Sequence, residues 1–297
     1  MGEQAAGSAS GDEREAALVS EVLASFGSTE DLRLREVLKS LVKHLHAFVR
    51  EVRLSPSEWE AAIEFLTAVG DITTERRQEF VLLSDVLGIS MQTVMVNSPP
   101  NPAVSESTVL GPFFVAGSRR FENGEDISGG APGLPCWVEI QLQDESGTAV
   151  QGARIEVWGA DAEGLYDVQY GDAAVSNRGY LNSDSDGRIS FWGILPKAYG
   201  IPTDGPVGKL LASAGRSEMR PAHIHFRITS RGYSTLVTHL FAAGDPYLAS
   251  DAVFGVRPSL VVDFEEHRAD ETPPGGAQVG ERWYSMRHTF VLARSQD

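Results

Sequence analysis

A chain of 297 residues with 42% apolar content can bury a sizeable core, and its length suits two domains. Its 41 acidic side chains outnumber 25 basic ones, and a net charge of −16 repels phosphate backbones and anionic lipid headgroups, which argues against nucleic-acid binding and membrane association. Cys136 is the only cysteine, so no intrachain disulfide is possible, a buried thiol is expected, and a reducing cytoplasm is the natural compartment.

The N-terminal MGEQAAGSASGDERE has no apolar stretch of signal-peptide length, and Ala6 stands where a myristoylation signal carries Ser or Thr, so neither export nor lipid anchoring is expected. Residues 1–11 are small and polar and read as a disordered tail. Helical spacing then begins with Leu18, Val19, Val22, Leu23 and Phe26, and Gly27 closes the run. From about Thr29, the recurrence of Leu34, Leu38, Leu41, Leu45, Phe48 and Val52 predicts a long amphipathic helix. His44 and His46 lie within it, two residues and therefore about 200° apart, and cannot share a ligand. SPSE at 55–58 is a capping box, with Ser55 as N-cap and Glu58 three residues on, and it opens a helix carrying Trp59, Ile63 and Leu66. A fourth helix is expected after Thr73 or Thr74, through EFVLLSDVLGIS. The helices define a first domain over 12–100, because NSPPNPAVSES at 97–107 carries three prolines and breaks every pattern.

After it the period changes. PCWVEIQLQD, ARIEVWGA, GRISFWGILP, HIHFRITS, STLVTHLF and SLVVDFEEH are alternating, or rich in β-branched and aromatic residues, with Gly, Asp and Asn between them. Short strands without intervening helices indicate an antiparallel β-sandwich over 101–297, which makes the whole an α+β multidomain chain. NSDSDG at 182–187 resembles the start of a calcium loop, but Gly193 stands where the bidentate Glu belongs, so a hairpin turn is expected there.

RPAHIHF at 220–226 places His223 and His225 on one face of a strand, about 6 to 7 Å apart and within reach of one metal ion. Spacing alone also allows two ordinary histidines on a half-exposed strand. Tyr166 in GLYDVQY and Tyr199 in PKAYGIPTDGPVG lie in glycine-punctuated loops. The residues by themselves leave open a binding module without chemistry, or a two-histidine copper or zinc site.

TVLGPFFV, VWGADAEGLYDVQY, RISFWGILPKAYGIPTDGPVG, RPAHIHF and AGDPYLASDAVFGV occur here in the order found in the intradiol ring-cleaving dioxygenases, and the helical half with its LLSDVLGIS resembles that family too. The resemblance implies one Fe(III) per chain, bound by Tyr166, Tyr199, His223 and His225 with a hydroxide. Tyr166 and His223 would be equatorial, Tyr199 and His225 axial. It further implies that a diol binds as a dianion, displacing Tyr199 and hydroxide, after which O₂ attacks the ring and the bond between the two oxygenated carbons breaks. Arg220 matches the family arginine that stabilises carbanion character on the ring, so Arg220 and Tyr199 are the catalytic candidates. The implied substrate pocket comprises Leu82, Asp85, Val109, Leu110, Gly111, Pro112, Phe113, Ile201, Pro202, Arg220 and Val253. The likeness is strongest to members acting on benzene-1,2,4-triol, with catechol as the alternative substrate, and Asp85 is the acceptor expected for the third hydroxyl. Catechol-cleaving members usually carry Gln where this chain has His239, to which no catalytic role is given. The resemblance also implies a homodimer through the helical domain, with a phospholipid at the interface.

Overall fold

Ser10 opens the first helix by accepting from the Glu13 N–H, while the Glu13 carboxylate accepts from the Ser10 N–H. In this computed structural model, which describes residues 10–75, 77–98, 101–170 and 175–295, that helix is α1, Gly11–Ser25. The helix therefore starts inside the stretch expected to be tail, and residues 1–9 lie outside the described ones. By packing, the chain forms two compact units, 1–67 and 68–297, whereas the change from helices to strands falls near residue 100.

In the first unit, α1 packs on α2 (Leu32–Val52), which Asp31 caps through the Leu34 N–H. Neither helix has a fully buried residue, and the stripe of Leu34, Leu41, Leu45 and Phe48 on α2 is exposed. The helix α3 (Pro56–Ile72) begins at the expected capping box, with Ser55 and Glu58 bonded reciprocally.

The second unit opens with two helices where one was expected, α4 (Glu79–Val86) and α5 (Ile89–Asn97), bent by 75°. The break falls at Gly88, whose φ of +73° is left-handed, a conformation open to glycine but not to a helix interior. Among the described residues no single helix is long and apolar enough to cross a membrane, although α4 and α5 together meet that test by length and composition.

The strands are β1 (Pro135–Asp144), β2 (Arg154–Trp158), β3 (Arg178–Asn182), β4 (Arg188–Ile194), β5 (Tyr199–Gly200), β6 (Met219–Arg220), β7 (His223–Thr229), β8 (Leu236–Ala242), β9 (Val261–Val262), β10 (Glu265–Arg268) and β11 (Arg282–Leu292). A short helix, α6 (Pro206–Ser213), lies between β5 and β6. One sheet has the order β10-β11-β1-β4, a second β3-β2-β7-β8-β9, and β5 pairs with β6. The expected antiparallel pattern is corrected here to mixed sheets, because β1 pairs with β11 and β8 with β9 in parallel. Alternation encodes which face of a strand is buried and says nothing of the direction of a partner some 150 residues later.

Val138, Ile140 and Leu142 of β1, Ile189 and Phe191 of β4, and Phe290 of β11 share one core with Ile155 and Val157 of β2 and Ile224, Phe226 and Ile228 of β7. Cys136 belongs to it, and burial pushes its thiol pKa up. The NSDSDG stretch forms a tight turn, with Asp184 accepting from the N–H groups of Asp186 and Arg188, but β3 and β4 lie in different sheets. The expected hairpin turn is thus a corner between sheets.

Candidate metal centre

The alternation of β7 gives the strand two tasks. Its even residues, Ile224, Phe226 and Ile228, fill the core, which turns the odd residues His223 and His225 to the opposite face. His223 Nδ1 lies 2.6 Å from the Pro221 carbonyl, so that nitrogen carries the proton and donates it, leaving the Nε2 lone pair as an acceptor, 3.2 Å from Arg220 Nη1. Tyr199 on β5 is the register partner of Arg220 on β6, which brings a phenol and a guanidinium to the same end of the site. Tyr166 precedes a 3₁₀ turn at Asp167–Gln169, and its N–H donates to the Gln169 side-chain oxygen. Glycine is required just before it, since a Cβ on Gly164 would meet the Tyr199 Cβ at 2.6 Å.

These four side chains converge. Tyr166 Oη lies 3.0 Å from Tyr199 Oη, 3.3 Å from His223 Nε2 and 2.9 Å from His225 Nε2, and the two histidine Nε2 atoms are 3.2 Å apart. Metal–oxygen and metal–nitrogen bonds of about 2.0–2.2 Å imply ligand–ligand edges of roughly 2.8–3.5 Å, so this spacing fits one shared ion. All four residues are buried.

Burial also sets their protonation. It pulls His223 down to about 3, aided by the Arg220 charge, and holds His225 well below the usual imidazole range, so both are neutral donors. Burial pushes both tyrosine hydroxyls up, Tyr166 further because Tyr199 lies beside it. Phenols in such surroundings give up their protons only to a cation that replaces them, and two phenolate oxygens suit a hard, highly charged ion.

Arg220 is held by a carboxylate that spacing does not reveal, and a second buried carboxylate–arginine pair lies beside Tyr166. Arg220 donates to Asp251 from Nε at 3.0 Å and from Nη2 at 3.3 Å, and Asp251 also accepts from the Val253 and Gly255 N–H groups. Burial works against the Arg220 charge, but Asp251 beside it keeps the guanidinium protonated. Asp167, next to Tyr166, pairs with Arg178 at 2.6 Å, and Arg178 also donates to the Phe113 carbonyl. The Phe113 ring stacks on Tyr166 with centroids 4.4 Å apart. Asp251 lies within AGDPYLASDAVFGV, yet no local pattern pairs it with an arginine 31 residues earlier.

A cleft of about 520 Å³ is lined by Asp85, Val109, Leu110, Gly111 and Pro112 among others. Gly111 borders His225, where a Cβ would come within 3.2 Å of the imidazole Cε1. Of the remaining pocket candidates, Leu82, Phe113, Ile201 and Val253 are buried and Pro202 is half-buried, and none of them lines that cleft. Val253 packs with Val109 and Met91. Asp85 is buried, and burial raises its pKa to about 6 against the lowering influence of the nearby Ser90 hydroxyl, which makes no close hydrogen bond to either carboxylate oxygen. His239 is buried on β8 with its ring 4.1 Å from that of His225, and one nitrogen of each of His223, His225 and His239 falls within a 4.8 Å group.

A family model described as Dioxygenase matches residues 109–294, and one described as Catechol dioxygenase N terminus matches residues 31–104. The chain is 55% identical to a hydroxyquinol 1,2-dioxygenase of Rhodococcus opacus over 94% of each chain. It is 54% identical to the hydroxyquinol 1,2-dioxygenase of Nocardioides simplex over 94% of this chain and 96% of that one. The crystal structure of hydroxyquinol 1,2-dioxygenase from Pseudomonas putida DLL-E4 matches with a TM-score of 0.86 at 40% identity, covering 96% of this chain and 100% of that one.

Metal-free protein should lose stability on mild acidification. The unfolded chain protonates its histidines near pH 6.5, while folded His223 resists until about 3 and His225 and His239 resist in the same sense. Stability therefore falls as pH drops through 6.5 toward 3. Asp85 works in the opposite direction, since its folded pKa is raised, but one carboxyl stands against three imidazoles. Thermal melts of chelator-treated protein should show a lower Tm at pH 5 than at pH 7.5, and a flat or rising Tm would contradict the reading.

Proposed function

The chain belongs to the intradiol dioxygenase family, and on that premise we propose that it uses O₂ to open the ring of hydroxyquinol, benzene-1,2,4-triol, between its adjacent hydroxylated carbons. The product is 3-hydroxy-cis,cis-muconate, which tautomerises to maleylacetate. The observation that carries the reading is the convergence of Tyr166, Tyr199, His223 and His225 next to Arg220, with Asp85 in a neighbouring cleft. Relatives named hydroxyquinol 1,2-dioxygenase at 55% and 54% identity support the choice of substrate.

The four converging side chains hold one Fe(III), and their two phenol oxygens favour that hard ion over softer metals. Bound there, ferric iron supplies Lewis acidity toward a ring diol and its reaction with O₂. Tyr199 Oη, a phenolate where the iron is bound, would be placed to take one of the diol protons. Arg220, 3.2 Å from His223 and kept charged by Asp251, stabilises negative charge developing on the ring. Val109, Leu110 and Pro112 provide apolar walls for a flat ring. The two sheets around one core are read as the β-sandwich catalytic domain of 101–297. The preceding domain of 12–100 is read as the dimerisation domain, its exposed α2 stripe being covered by a second copy and by a phospholipid at the interface. A cytoplasmic location agrees with the single cysteine.

Protein expressed with added iron should be red, from the tyrosinate-to-iron charge-transfer band, and carry one iron per chain. Tyr166→Phe should lose most of the iron and the colour, whereas colourless, iron-free unmodified protein would overturn the metal assignment.

Hydroxyquinol should be turned over with a higher kcat/KM than catechol. A third ring hydroxyl satisfies the unpartnered Asp85, and leaving a buried acceptor unpaired costs about 1–3 kcal/mol, or roughly five- to 150-fold in preference. Asp85→Asn should narrow the gap more than it alters catechol turnover. A preference for catechol in the unmodified enzyme would replace this reading with catechol 1,2-dioxygenase.

Light scattering at micromolar concentration should give the mass of a dimer. A monomer mass there would remove the helical domain's proposed role.

A further inference from the structure

Three buried nitrogens without hydrogen-bond partners stand on a single rung of the five-stranded sheet. Trp158, His225 and His239 are register partners across β2, β7 and β8. Trp158 Nε1, His225 Nδ1 and His239 Nε2 account for three of the seven unpartnered buried side-chain atoms among the described residues, which ties the deficit to the metal centre. The His225 imidazole is sandwiched between the Trp158 ring, at 4.7 Å and 15°, and the His239 ring, at 4.1 Å. Stacking fixes the plane of a ring and leaves it free to turn within that plane.

The two histidine ligands therefore differ. His223 is locked, because its Nδ1–H donates to the Pro221 carbonyl. His225, presenting Nε2 to the same cluster, must also carry its proton on Nδ1, and that donor has nothing to receive it. Metal-bound imidazoles nearly always hand this second N–H to an acceptor, which sets ring orientation and raises ligand basicity. Of the two rung neighbours only His239 can accept, since an indole N–H is a donor only. Its Nδ1 faces the Thr108 hydroxyl in a short hydrogen bond. With the His239 proton on Nδ1 and donated to Thr108 Oγ1, the Nε2 lone pair is open. The two ring centres are 4.1 Å apart, so the two unpartnered nitrogens belong to rings in direct contact.

We propose that His239 is a positioning residue for the metal ligand His225: its Nε2 is the acceptor available to the His225 Nδ1–H, and Thr108 holds the His239 ring through Nδ1 so that Nε2 stays on that side. The relay runs from Thr108, in the segment that continues into the cleft wall at Val109, through β8 to the ligand on β7. The inference rests on the metal reading proposed above.

The experiment compares unmodified protein with His239→Leu, His239→Gln and Thr108→Val, each loaded with iron. Release of iron to a chelator, the position of the visible band, and the Tm of the metal-free form are measured for each. His239→Leu should release iron about 10- to 100-fold faster, the usual effect of losing such an outer partner, and should shift the band, with little change in the metal-free Tm. His239→Gln keeps an acceptor oxygen and a donor for Thr108, so it should restore slow release. Thr108→Val keeps the imidazole and the side-chain shape but removes the hydrogen bond that holds the His239 ring, so it should release iron at an intermediate rate. It also carries the test should His239→Leu fail to fold. Release and band unchanged in both His239→Leu and Thr108→Val would overturn the inference while leaving the metal site intact. Unmodified protein that binds no iron would overturn the inference together with the metal reading.

Discussion

Tyr166 Oη lies 2.9–3.3 Å from a second phenol oxygen and two imidazole nitrogens in a buried site, and the surrounding structure serves to hold them there. Lone pairs crowded at that spacing repel each other unless protons or a cation lie between them. Each is accordingly clamped from outside: His223 by the Pro221 carbonyl, His225 by ring stacking, Tyr166 by Phe113, and Tyr199 by the β5–β6 ladder. The cluster is thereby preorganised, since the contacts that hold each ring come from the protein itself.

The sheet makes this affordable because β7 is central, flanked by β2 and β8. A strand with one face in the main core needs no further support for its hydrogen bonding, so its other face is free to carry polar chemistry. Neighbouring strands then supply flat side chains at the same level, Trp158 and His239 on either side of His225. A helix could not have done the same, since residues two apart on a helix diverge. His44 and His46 illustrate the point on α2, where the spacing of the pair is identical and one is exposed while the other is half-buried.

Much of this was legible in the chain, for reasons that differ by element. The capping box at Ser55 is local chemistry, and it forms as read. The apolar period through EFVLLSDVLGIS predicts one continuous helix because it runs across Gly88, which nonetheless takes a left-handed φ and turns the chain. Mixed pairing in the sheets was invisible, as β1 and β11 meet across the length of the domain. The donor set came from motif resemblance, with the His-x-His period giving only half of it. Asp251, Asp167 and Thr108 were missed because each acts on a residue distant in sequence through a side-chain contact that no periodicity records.

Asp251 shows why such partners matter beyond stability. A lone guanidinium buried at the site would be costly, and a lone carboxylate equally so, but the pair is close to neutral and directional. Two backbone N–H groups from the 253–255 segment also bind Asp251, so its carboxylate joins the Arg220 side chain to the loop that carries Val253. Val253 packs against Val109, which lines the cleft next to Asp85. Position of the cation and shape of the cleft wall are thus set by one short loop. A change in that loop cannot alter one without disturbing the other, which makes residues 251–255 a tightly constrained segment of the site although none of them belongs to the donor cluster.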